Sequence, residues 1–133
     1  MFDRVLSWLE SPGENEDRHF DDQDIRVAVA ALFYHMVAVD GEVTEIESQR
    51  LGKLLRERFG LNESQLAQLS QEGQNVDQDS AGLFPFAIIL NREYSKDQRR
   101  DILSRLEALA QADGVVHPLE AAMVDQMRLL LKL

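Results

Sequence analysis

The sequence predicts an all-α protein, a compact multihelical bundle carrying an internal duplication. Three observations predict it. Beyond Asp24 every long segment repeats its apolar residues at helical spacing, and no alternating strand pattern is bounded by hairpin turns. The stretch Val27 to Phe33, VAVAALF, is apolar on nearly every side, as a helix enclosed by other helices must be. Finally, Asp40-Gly41-Glu42-Val43-Thr44-Glu45-Ile46-Glu47 recurs as Asp113-Gly114-Val115-Val116-His117-Pro118-Leu119-Glu120, a D-G-x-V-x-x-[IL]-E motif repeated at an offset of 73 residues.

The elements follow in order. Residues 1–23 read as a short amphipathic helix followed by an acidic linker. Phe2, Val5, Leu6 and Leu9 share a helical stripe, and Glu10 to Asp24 holds Pro12, Gly13 and seven acids. Residues 24–133 read as the folded domain. Asp24 is the expected cap of a helix running to Val39. Thr44 to Phe59 is the next helix, with Ile46, Leu51, Leu54 and Leu55 inward and Gly60 as its stop. A Gln-rich helix from Asn62 or Glu63 to about Gln74 carries Leu66 and Leu69. A short apolar helix from Ser80 to about Leu90, capped by Asp79, contains Pro85, which interrupts the backbone ladder if it lies beyond the first turn. Lys96 to Ala112 and Pro118 to Leu131 complete the set, the last with Pro at its first position.

The offset of 73 residues also pairs Val29 with Ile102, Phe33 with Leu106, Met36 with Leu109, Leu51 with Val124 and Leu54 with Met127. Each half is thus a core helix, a DG turn and an amphipathic helix, and two such halves imply an approximate two-fold.

Composition narrows the function. Among 133 residues, 24 Asp and Glu stand against 14 Lys and Arg, a formal net charge of -10. That excess repels phosphate backbones and anionic lipid headgroups, which argues against nucleic-acid and membrane-surface partners and favours cations or basic partners. With no cysteine there is no disulfide, thiolate metal site or cysteine nucleophile. No apolar run approaches the ~20 residues of a membrane span, so a cytoplasmic protein without membrane insertion is expected. Arg56, Arg58, Arg99, Arg100 and Arg105 sit among acids, as on a salt-bridged surface. No nucleophile elbow, zinc-protease helix, phosphate loop or dinucleotide fingerprint is present, and an enzyme is not expected.

The doubled DG…E segment, the enclosed helix ahead of each copy, the MFD start and the acidic lead into the first core helix resemble the TerB-like tellurite-resistance proteins of bacteria. The resemblance covers about Asp24 to Leu133. It implies a compact helical bundle with two central helices, a link to tellurite and other chemical stress, kinship with a domain of DnaJ-type co-chaperones, and metal-ion binding by acidic motif residues.

Two readings of the motif stand side by side. In one it builds helix ends: the glycines take a left-handed turn, Thr44 and Glu47 form a capping box, and Val43 and Val116 staple the turns to the core. In the other, Asp40, Glu47, Asp113 and Glu120 hold a divalent cation, with Glu42 and Glu45 as further oxygen donors beside the first turn. Oxygen-only donors favour Ca²⁺ or Mg²⁺, while His117 beside the second turn leaves Zn²⁺ open. The second turn is poorer in acids, which speaks against a symmetric two-ion site. Neither turn has EF-hand spacing, and Asp77-x-Asp79 matches only the first half of such a loop. His35 reads as a hydrogen-bonded helix residue, and His19 stands alone in the linker. The expected function is a non-enzymatic, cation-binding stress-response domain with no organic cofactor. The alternative is a metal-free interaction module docking a protein partner through its acidic face or through Phe2, Leu6, Trp8 and Leu9. The oligomeric state is not legible.

Overall fold

A computed structural model describes residues 21–38, 43–79, 84–111 and 118–133. Its centre is helix α1, Asp22–Ala38, in which Val27, Ala28, Val29, Ala30, Ala31, Leu32, Phe33, Met36 and Val37 are all buried. A helix so apolar around its circumference is stable only when other elements enclose it. Five do so: α2 (Glu45–Phe59), α3 (Glu63–Asp79), α4 (Phe84–Glu93), α5 (Lys96–Ala110) and α6 (Pro118–Leu130) each pack against α1. Among the described residues every regular element is an α-helix, as the periodicity requires.

The duplication is expressed in the packing. Helices α1 and α5, the two core helices of the halves, lie against each other. Exchanging the halves maps the α1–α2 contact onto α5–α6 and the α1–α6 contact onto α5–α2, all four of which are present. The five residue pairs related by the offset of 73 are buried in both members. Ile46 and its counterpart Leu119 also agree, in the opposite sense, being 54% and 56% exposed. Ile46 therefore points outward rather than into the core. Glu47, Leu51, Leu54 and Leu55 form the inward face of α2, and Ile46 lies off that stripe.

Helix ends account for most other differences. Asp21, not Asp24, caps α1: its Oδ1 accepts from Asp24 N–H at 2.8 Å, and Asp24 Oδ2 accepts from Asp21 N–H at 3.0 Å. The helix thus begins three residues earlier than expected, with Asp24 buried as the returning member of the box. Helix α3 continues past Gln74 to Asp79, because Leu69, Glu72, Gly73 and Val76 form one buried stripe at i, i+3, i+4 and i+7. Asp79 is accordingly the last residue of α3, and α4 begins at Phe84. Pro85 falls within the first turn of α4, where its missing N–H breaks no helical hydrogen bond. Helix α5 ends at Ala110 and α6 at Leu130, each one or two residues short of expectation. Gly60 closes α2 at φ 64° as expected, with Gly60 N–H and Leu61 N–H both donating to Arg56 C=O. Lys132 takes the same left-handed role beyond α6, at φ 60°.

The closest approach in the bundle is between α1 and α3. A Cβ placed on Gly73 would stand 2.7 Å from Ala30 Cβ and 2.9 Å from the Ala30 carbonyl carbon. Glycine at 73 is therefore required for the two backbones to meet. Gly52 is different, since a Cβ there would meet only Leu66 Cδ2 at an ordinary 3.5 Å. Replacing a helical glycine by alanine gains up to ~1 kcal/mol in propensity, while forcing an extra methyl into a filled core costs ~1–3 kcal/mol. Gly52→Ala is expected to stabilise by a few tenths to ~1 kcal/mol and Gly73→Ala to destabilise. Urea unfolding of the two variants checks both signs.

Candidate functional site

The DG…E motif divides between described and undescribed residues. Glu45, Glu47 and Glu120 are described; Asp40, Glu42, Asp113 and His117 lie outside the described residues, as do Val116, Phe2, Leu6, Trp8, Leu9 and His19. Thr44 caps α2 in the expected way. Its Oγ1 accepts from Glu47 N–H at 3.1 Å and donates to Glu47 Oε1 at 3.0 Å, and Thr44 N–H donates to the same Oε1 at 3.2 Å. Glu47 is thereby only 4% exposed, and Glu120, at the third position of α6, is 2% exposed. Two buried carboxylates thus stand at corresponding places in the halves. Glu45 is exposed and accepts from Gln49 Nε2 at 3.4 Å. Val43 remains 44% exposed, so the staple at the first turn is loose.

The hydrogen bonds to the Glu47 carboxylate among the described residues all end on Oε1. Among the described residues no three His, Asp or Glu side chains gather closely enough to hold an ion. Asp77, read as half of a loop pattern, instead accepts from His35 Nδ1 at 2.7 Å, joining α1 to α3. The buried carboxylate of Glu72 accepts from Gln68 Nε2 at 3.1 Å and from Gln23 Nε2 at 3.4 Å.

Two of the arginines assigned to the solvated surface have other partners. Arg99 reaches the end of α6, donating to Leu131 C=O at 2.6 Å and Asn91 Oδ1 at 3.0 Å, while Asn91 Nδ2 donates to Leu130 C=O at 2.8 Å. Arg58 stacks over the rings of Phe59 (5.2 Å) and Tyr94 (5.4 Å), and Arg26 over Phe59 (5.4 Å). Arg58 also pairs with Asp101, whose Oδ2 lies 3.2 Å from its Nε, so the ring contacts add to an ion pair there. Arg56, Arg100 and Arg105 do pair at the surface, with Glu63, Asp97 and Asp101. The Arg26–Arg58–Tyr94 group went unread in the sequence, where its members are 32 or more residues apart. The repeat held one signal, since Arg26 is the counterpart of Arg99.

Once the described helices are placed, the class is a duplicated all-helical domain in which a Thr44–Glu47 capping box opens the amphipathic helix of the first half. The family model described as tellurite resistance protein TerB matches residues 26–133, and the chain belongs to that family. No curated protein and no solved structure matches the chain. No helix among the described residues is long and apolar enough to cross a membrane.

Two predictions follow from this geometry. Thr44→Ala and Glu47→Ala each remove part of one reciprocal cap and are expected to cost ~1 kcal/mol each, the double variant costing less than their sum; chemical denaturation of the cycle reads the coupling. Burial pushes the Tyr94 phenol above its usual 10.0, reinforced by Asp22 and opposed by Arg58. A raised folded-state value means the fold favours the neutral phenol. That contribution is complete below the unfolded value near 10 and is lost as pH rises through the raised one. Tyr94→Phe is expected to lose less stability than wild type over that alkaline range, measured by denaturation at a series of pH values.

Proposed function

We propose that this TerB-family chain acts in a bacterial cytoplasmic response to tellurite or related chemical stress by binding a divalent cation at its DG…E turns, without catalysing a reaction. The observation that carries the reading is the burial of Glu47 and Glu120 at matching positions beside acid-bearing turns. A carboxylate withdrawn from water needs compensating donors or a cation. The cap engages Oε1 of Glu47, and an ion would bind through Oε2. Asp40 and Glu42 precede Glu47 on the adjoining turn, Asp113 precedes Glu120, and these hard oxygen donors suit Ca²⁺ or Mg²⁺; His117 would extend the second set toward Zn²⁺.

The capping box supports a second reading, a metal-free interaction module. Thr44 already supplies two hydrogen bonds to Glu47, so the motif has a structural reason to exist without an ion.

Thermal unfolding of chelator-treated protein separates them. Wild type, Glu47→Gln and Asp40→Asn/Asp113→Asn would be compared with Ca²⁺, Mg²⁺, Mn²⁺ and Zn²⁺ at constant ionic strength. Glutamine preserves the capping box while removing the charge. At about 100 times the dissociation constant a bound ion stabilises by ~2.7 kcal/mol, several degrees in Tm. A selective rise in wild type that both variants lose is the expected result. Equal curves for every ion overturn cation binding and leave the motif as helix caps.

A further inference from the structure

The start of α1, the end of α2 and the α4–α5 turn enclose a hollow of about 230 Å³ lined by Asp22, Arg26, Arg58, Phe59, Tyr94 and Gln98. In a chain with a net charge of -10 it brings two guanidiniums together. Among the described residues neither donates a hydrogen bond, whereas Arg56, Arg99, Arg100, Arg105 and Arg128 all donate to oxygen. Arg58 Nε is buried and lies 3.2 Å from Asp101 Oδ2 without hydrogen-bond alignment. Asp101 instead accepts from Arg105 Nε at 3.0 Å.

The internal repeat shows what is missing. Arg99, the counterpart of Arg26, donates to Leu131 C=O just past α6 and to Asn91 Oδ1 on α4. In the first half the positions matching Leu131 and Asn91 are Arg58 and Arg18. Arg18 in place of Asn91 replaces an amide oxygen by a side chain with donors and no acceptor. The sequence of the first half thus repeats the guanidinium without the side-chain oxygen that meets its counterpart.

We propose that Arg26, Arg58, Tyr94 and Gln98 bind a carboxylate group. Arg26 and Arg58 would donate as planar forks, for which a carboxylate is the matching acceptor. The Tyr94 hydroxyl and the Gln98 amide would complete the donor set, the phenol remaining protonated at neutral pH because burial disfavours its anion. Asp101 is shared between Arg58 and Arg105, and Asp22 also lines the hollow. With two carboxylates already beside the guanidiniums, a monoanion suits the hollow better than a phosphate dianion. The donor could be a small organic acid or an acidic side chain of a protein partner. The site shares no residue with the DG…E turns, so Asp40→Asn/Asp113→Asn is expected to leave it intact and the two readings fail separately.

The test is ¹⁵N NMR titration of the full chain, following arginine Nε–H signals with sodium acetate, with the blocked tripeptide Ac-Ala-Glu-Ala-NH₂ and with sodium phosphate, against chloride at constant ionic strength. Acetate and tripeptide are expected to give saturable shifts at Arg26 and Arg58. Arg26→Gln should weaken both by about tenfold or more, the usual cost of removing a charged hydrogen-bond donor. Tyr94→Phe, which keeps the ring, should weaken them by a smaller factor and carries the test if Arg26→Gln does not fold. Arg128→Gln, on a distant surface pair, should change nothing. A tripeptide binding at least tenfold tighter than acetate identifies a protein side chain as the source; equal binding identifies a small acid. Shifts that never saturate, affinities unchanged in Arg26→Gln and Tyr94→Phe, or phosphate binding tighter than either carboxylate would overturn the proposal.

Discussion

The bundle depends on the enclosure of α1. From Val27 to Phe33 no side chain of this helix reaches water, so each neighbour must meet it with apolar atoms or with none. The contact with α3 is the extreme case, in which Gly73 brings backbone against Ala30. Close packing of this kind leaves no room for relaxation. It confines polar chemistry to the two ends of α1: Asp21, Gln23, Asp24 and Arg26 at the start, Tyr34 and His35 near the finish. The apolar span between them is about 10 Å at 1.5 Å per residue. Helix α1 is thus a spacer that holds two polar surfaces apart.

Duplication adds a second constraint. A position that must serve the same packing role in both halves keeps its character, as Phe33 with Leu106, Met36 with Leu109 and Glu47 with Glu120 do. Ile46 and Leu119 match as well, though both are exposed, so the repeat specifies a surface as well as a core. Where the halves part company, the local physics parts too. Arg99 ties α4, α5 and the end of α6 together through Asn91 Oδ1 and Leu131 C=O, whereas Arg26 rests on a ring beside a second arginine. The first half gives up a structural tie and gains a polar hollow.

The fold was largely legible because helical periodicity and local capping are short-range properties. Thr44, Gly60 and Pro118 mark their helix ends by chemistry visible within four residues. The errors arose where tertiary contacts decide. Asp21, Asp22 and Asp24 are all competent caps, and only the reciprocal pair Asp21–Asp24 selects the first. The helix expected to end near Gln74 runs on to Asp79, because Gly73 seats it against Ala30 and Val76 continues its buried stripe. Ile46 is as apolar as Leu51, and nothing local says that only one of them meets α1. The candidate cation ligands were legible as a pattern, of which the described residues include Glu45, Glu47 and Glu120. The arginine hollow was not, since ring stacking and absent acceptors are properties of the packed chain.

The electrostatics of α1 favour placing unlike ligands at its two ends. The helix dipole presents partial positive charge at Asp22 and partial negative charge at Ala38. Anions are therefore favoured where Arg26 and Arg58 converge, and cations near Ala38. Asp21 and Asp24 use part of the positive end as caps, and the two guanidiniums restore what those carboxylates remove. Arg26 and Ala38 are about 18 Å apart along the helix, roughly twice the ~8 Å screening length at physiological ionic strength. Charge alone would therefore couple ligands at the two ends only weakly. Any stronger linkage would have to pass through the seam of α1 and α3, where Gly73 meets Ala30 and His35 meets Asp77, and that seam is packed too tightly to shift by small degrees.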